Sequence, residues 1–142
     1  MSLLQEIRDT GATTAWCPVR GGKTTIAVGT KDGAGGGGQT FEDYGGELAL
    51  FELDLNKDGA QPKQVAKTEA STRFSCLAWG SKGPSGAGII AGGMQNGAIN
   101  VWDPKALTKP LATISKHKSK VNSLQFNPHS ATGHLLATGA SD

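Results

Sequence analysis

Apolar residues along this chain fall in short alternating runs, and three of those runs belong to one repeated phrase. Each closes on an aromatic residue, meets the glycine of an Ile/Leu-Ala-x-Gly run thirteen or fourteen positions later, and leads to a turn dipeptide. The first copy is Ala15-Trp16-Cys17-Pro18, then Ile26-Ala27-Val28-Gly29 and Asp32-Gly33. The second is Ala78-Trp79-Gly80, then Ile90-Ala91-Gly92-Gly93 and Asn96-Gly97. The third is Gln125-Phe126-Asn127-Pro128, then Leu136-Ala137-Thr138-Gly139, with Asp142 opening its turn. After the turns come further alternating runs, Leu48-Ala49-Leu50-Phe51 and Ala98-Ile99-Asn100-Val101-Trp102-Asp103. Period-two runs of this length, bounded by Gly, Asp, Asn and Pro, predict strands. The Asp-Gly and Asn-Gly pairs predict hairpins, because their central residues tolerate positive φ.

The repeat therefore predicts four-stranded antiparallel units. Inner strands end at Trp16, Trp79 and Phe126, second strands at Gly29, Gly93 and Gly139, and third strands at Phe51 and Trp102. Residues 64–68 and 111–114 supply the fourth strands. Sheets repeated in this way are the units of a β-propeller of the WD-repeat kind. The fold class expected is all-β, a propeller fragment of about two and a half blades, since a ring needs at least four. Blade one covers 13–68, blade two 74–114 and blade three 120–142, the last truncated. A strand over 3–8 is expected to join a missing last blade, and the unpaired edges are expected to make an isolated chain self-associate.

In WD repeats a His, a Ser/Thr, an Asp and the third-strand Trp form a buried hydrogen-bonded set, and His117, Thr138 and Asp142 occupy the matching places of the third copy. The competing reading of His117 is a solvated residue within Lys116-His117-Lys118. The first two copies have no His in the matching linker, so apolar packing is expected to hold them. The blade aromatic positions are Trp16, Phe51, Trp79, Trp102 and Phe126.

Composition narrows the chemistry. The formal charge of +2 over 142 residues is close to neutral. Lys105, Lys109, Lys116, Lys118 and Lys120 crowd one stretch, without the arginines and interleaved aromatics of a nucleic-acid footprint. Cys17 and Cys76 show neither zinc-ligand spacing nor a disulfide framework. No signal peptide and no apolar run of membrane-spanning length is visible. These features predict a cytosolic chain with no metal, no cofactor, no nucleic acid and no direct membrane insertion.

Gly33-Ala34-Gly35-Gly36-Gly37-Gly38 satisfies the dinucleotide-binding pattern GxGxxG and has Asp54 about twenty residues on. The segment from Gln39 to Gly46 is too short and Gly-rich to supply the helix that would hold a pyrophosphate. Gly22-Lys23-Thr24 resembles the end of a P-loop, but the Thr25-Ile26-Ala27-Val28 run predicts a strand where a helix is required. His117, His129 and His134 have no nucleophile arranged near them, and no catalytic residue is assigned.

The order Leu4-Gln5-Glu6-Ile7-Arg8-Asp9-Thr10, Ala15-Trp16-Cys17-Pro18, Gln39-Thr40-Phe41 and Glu47-Leu48-Ala49-Leu50-Phe51-Glu52-Leu53-Asp54-Leu55 resembles the start of the larger outer-shell subunit of the COPII vesicle coat. Blade two adds Leu77-Ala78-Trp79-Gly80, Ile89-Ile90-Ala91-Gly92-Gly93 and Trp102-Asp103-Pro104. Gly11 and the Gly33–Gly38 tract depart from that family. The resemblance implies a structural scaffold in the cage of vesicles leaving the endoplasmic reticulum for the Golgi. It implies as partners a smaller propeller subunit and other coat propellers. It also implies a cytoplasmic location at exit sites and vesicles, and assigns no contact residues. Two other functions compete: a WD-repeat scaffold of another assembly, and a nucleotide-dependent oxidoreductase built on Gly33–Gly38.

Overall fold

A computed structural model of the chain describes residues 5–7, 11–32 and 45–142. The Gly33–Gly38 tract, the Asp32-Gly33 turn and most of the insert around them lie outside the described residues. So does most of the strand expected over 3–8; Gln5–Ile7 are not in a strand. Gln5 is tied instead to the first sheet, its Nε2 donating to the Asp54 carbonyl at 2.8 Å.

Ten strands form three antiparallel sheets, and no helix occurs among the described residues. Blade one is β1 (Gly11–Trp16), β2 (Thr24–Asp32), β3 (Gly46–Leu53) and β4 (Lys63–Ala70), paired in chain order. Blade two repeats this with β5 (Phe74–Gly80), β6 (Ile89–Met94), β7 (Ile99–Trp102) and β8 (Ala112–Ile114). Blade three contributes the hairpin β9 (Val121–Phe126) and β10 (Leu136–Ala140). Antiparallel neighbours need no crossover connection, so strands paired in chain order form a meander. The expected Asn96-Gly97 hairpin forms between β6 and β7. Its loop is Gln95-Asn96-Gly97, closed by Gly97 N–H to the Met94 carbonyl and Met94 N–H to that of Ala98. Gly97 takes the left-handed conformation (φ 89°), the bulge position of a three-residue connection.

Registers align the copies residue for residue. Trp16 faces Ile26 and Ile26 faces Phe51; in blade two the same row reads Trp79, Ile90, Trp102; in blade three it reads Phe126, Leu136. Because side chains alternate across a sheet, each blade presents one face to the blade before and the other to the blade after. A bulge at Ser75, between Phe74 and Cys76, restores this alternation, so Phe74, Leu77 and Trp79 all point towards blade one. They join Ala27, Leu48, Leu50, Ile90, Met94 and Trp102 in a buried cluster between the first two blades. A smaller cluster of Ala91, Ile99 and Val121 lies between blades two and three, with Cys76, Leu124, Phe126 and Leu136 packed on it. Burying such faces is the driving force for stacking, at about 25 cal/mol per Å² of apolar surface.

Candidate functional site

Blade stacking rests on close approaches that glycines permit. A Cβ on Gly29 of blade one would stand 2.8 Å from Cγ of Phe74, and one on Gly92 would stand 2.4 Å from Cε1 of the same ring. Phe74 is thus held between the two blades, fully buried, with its ring 5.7 Å from that of Trp102 at 42°. The same device recurs one blade on, where Gly93 takes Val121 and Gly80 takes the ring of Phe126. Phe74 is a packing residue that the sequence pattern passes over. Its signal was its place five residues before Trp79, which Val121 holds before Phe126.

The third blade brings its polar residues together. His117 Nδ1 is 3.1 Å from Oδ1 of Asp142 and its Nε2 is 2.9 Å from Oγ1 of Thr138. The backbone N–H of Lys118 donates to the other Asp142 oxygen at 3.0 Å. That N–H is the main reason the Asp142 carboxyl sits below its ordinary range, with the contact to His117 adding to it. In the described residues the side chains of His117 and Asp142 keep 23% and 30% exposure.

In blade two Gly92 stands where blade three has Thr138, and Asn96 where it has Asp142. Asn96 accepts from the N–H of Ala98. The indole N–H of Trp102, buried to 1% exposure, has no hydrogen-bond partner. Asp103, which completes the Trp-Asp pair, accepts from the Ser85 hydroxyl and from the Lys105 N–H. Of the remaining aromatic positions, Trp79 is buried and donates to the Ala87 carbonyl at 2.9 Å, Phe51 and Phe126 are half-buried, and Trp16 is 57% exposed.

A groove of about 570 Å³ opens where the turns of blades one and two meet. Cys17, Arg20, Lys23, Glu52, Trp79 and Lys105 are in its wall. Lys23 reaches Glu52 at 3.0 Å from an exposed position, a pairing of little energetic weight. Thr24 begins β2, so Gly22-Lys23-Thr24 leads into a strand. Both cysteines are free. Cys76 donates to the Val121 carbonyl, and burial pushes its thiol above the ordinary value. Among the described residues no group of His, Cys, Asp and Glu is arranged to hold a metal ion, and no helix is long and apolar enough to cross a membrane. Lys105, Lys109, Lys116 and Lys118 are exposed and Lys120 partly so.

Residues 108–142 match the family described as WD domain, G-beta repeat. Over nearly its whole length the chain is also similar to proteins named Protein transport protein sec31. That of Emericella nidulans is 38% identical over 98% of this chain, that of Ajellomyces capsulatus 37% over 99%, and that of Dictyostelium discoideum 34% over 100%. In each case the matched part is 11% of the relative's own length.

Proposed function

We propose, from the premise that this chain is a Sec31-like WD-repeat segment, that it is a structural part of the COPII outer coat, working through protein contacts in the cage of vesicles that carry cargo from endoplasmic reticulum to Golgi. The observation that carries this reading is the extent of the similarity. Identity of 34 to 38% persists across 98 to 100% of the chain, through both complete blades. A generic WD repeat accounts for 108–142.

The structure supports a scaffold in physical terms. Stacked blades with glycine-seated aromatics form a stiff body, and the loops at both ends of the strands remain free to meet partners. The partners proposed are the smaller propeller subunit of the outer coat and neighbouring coat propellers, and the place is the cytoplasmic side of exit sites and vesicles. No catalytic role is proposed for any residue.

The test is a pull-down from cytosol with the full-length protein, the Met1–Asp142 chain run in parallel, read by mass spectrometry. Recovery of the smaller propeller subunit and other COPII components with the full-length protein is expected. Recovery of a different multiprotein assembly would overturn the coat role and leave a WD-repeat scaffold. The parallel lane reports whether these blades hold any of the contact by themselves.

A further inference from the structure

An asparagine side chain is open to attack at Cγ by the nitrogen of the next peptide group, and any side chain on that next residue hinders the approach. Of Asn56, Asn96, Asn100, Asn122 and Asn127, Asn96 alone is followed by glycine. Lys57, Val101 and Ser123 follow three of the others, and Asn127 precedes Pro128, which has no N–H to lose. Packing holds position 97 to glycine. The residue is buried at φ 89°, and its main chain lies against the carbonyls of His117 and Ser119, ahead of blade three. The close approach between blades two and three therefore places the most reactive asparagine of the chain at their junction. Asn96 itself is exposed to water, and two hydrogen bonds hold it away from reaction. Its Oδ1 accepts from the Ala98 N–H at 3.0 Å, and the Gly97 N–H, which must be given up, donates to the Met94 carbonyl at 3.2 Å.

We propose that Asn96 is a deamidation site whose rate is set by the contact of Gly97 with the segment leading into blade three. Hydroxide takes the Gly97 N–H proton, the nitrogen bonds to Cγ of Asn96, and the Cγ–Nδ2 bond breaks with loss of ammonia. Water then opens the ring. Opening at the side-chain carbonyl leaves aspartate, and opening at the main-chain carbonyl leaves isoaspartate, with the chain running through the former side chain; one water enters and one ammonia leaves in either case. The attack turns the Gly97 peptide group away from Met94, which the carbonyls of His117 and Ser119 obstruct. Reaction therefore waits for the hairpin to lift from blade three, a local opening whose free energy sets the rate. The two products differ in effect. Aspartate keeps the main chain and matches Asp142 of blade three, whereas isoaspartate adds a methylene to the main chain beside a contact with no room for one. The isoaspartyl hairpin no longer seats, so the junction that guards the site is loosened by its failure.

The experiment incubates the full-length protein in mildly alkaline buffer, native and urea-unfolded, and follows the peptide containing Asn96 by mass spectrometry. Val121→Ala is run beside it, because Val121 is fully buried against Gly93 and Cys76 in the same junction. Deamidation at Asn96 is expected to be slower in the native protein than in the unfolded one by about tenfold or more, and to be accelerated about tenfold by Val121→Ala. Sub-denaturing urea on the original protein gives the same reading if Val121→Ala does not fold. The isoaspartyl fraction, separated by its added negative charge, is expected to exchange amide hydrogens faster over 116–120 than Asn96→Asp does. A native rate equal to the unfolded one would overturn the proposal, as would a rate that neither Val121→Ala nor urea raises. Unchanged exchange in the isoaspartyl fraction would overturn the loosening of the junction.

Discussion

Blades two and three share a register and differ in what occupies it. Where blade three has Val121, Thr138 and Asp142, blade two has Phe74, Gly92 and Asn96. In blade three a histidine bridges the threonine and the aspartate; in blade two a phenylalanine fills the space from the other side and leaves the indole N–H of Trp102 unpaired. The exchange is internally consistent. A threonine at 92 would collide with the ring, and the glycine that admits the ring offers no hydroxyl to the indole. The comparison teaches that one backbone supports two kinds of internal fastening, and that changing kind requires two positions to change together. An unpaired buried donor costs about 1 to 3 kcal/mol, while a buried phenylalanine contributes more than that, so the apolar solution is favourable on balance.

The strongest way to break the contrast is Phe74→Ala. The ring touches two blades, so its loss is expected to destabilise the chain by about 3 to 5 kcal/mol, read as a fall in the urea midpoint. Next comes Gly92→Thr, which places the residue of blade three into blade two; overpacking against Phe74 is expected to cost about 1 to 3 kcal/mol. Combining it with Phe74→Val rebuilds the blade-three pair. The double variant is expected to lose less than the sum of the single losses, the mark of coupled neighbours; strict additivity in the same titration would show that the two positions are independent.

Changes on the polar side are smaller. Thr138→Val removes one hydrogen bond at a solvent-accessible site, and the expected loss is about 1 kcal/mol or less by denaturant titration. The pH response sharpens the difference further. Because the Asp142 carboxyl is held below its ordinary range, chiefly by the Lys118 N–H, the folded state favours its charged form. That contribution is complete above roughly pH 4 and is lost as the pH falls through the lower folded value. Asp142→Asn should therefore be less stable than the original chain at pH 6, and the gap should narrow towards pH 2, in urea titrations at each pH. A gap that is constant with pH would remove the carboxylate from the account.

Much of this architecture could be read along the chain, because the repeat places aromatic, alanine and glycine at fixed intervals and a strand's period of two does the rest. Trp79, Trp102 and Phe126 stand where their spacing put them, and His117, Thr138 and Asp142 meet although they are far apart in sequence. What the chain did not announce depends on contact between blades. Phe74 carries no turn signal and begins a strand, and its importance arises from Gly29, forty-five residues earlier. The hairpin at Asn96-Gly97 was legible from its dipeptide; its three-residue loop was not stated by the sequence, since the same dipeptide serves both geometries.

Gly97 has one more consequence. A side chain there would strike the carbonyl oxygens of His117 and Ser119 at 2.7 and 2.8 Å, so the hairpin of blade two abuts, main chain to main chain, the segment that launches blade three. The spacing between these two blades is thereby set at this point by main-chain atoms. Any side chain at position 97 would therefore have to push the start of blade three away from blade two, so the spacing of the two blades depends on this glycine.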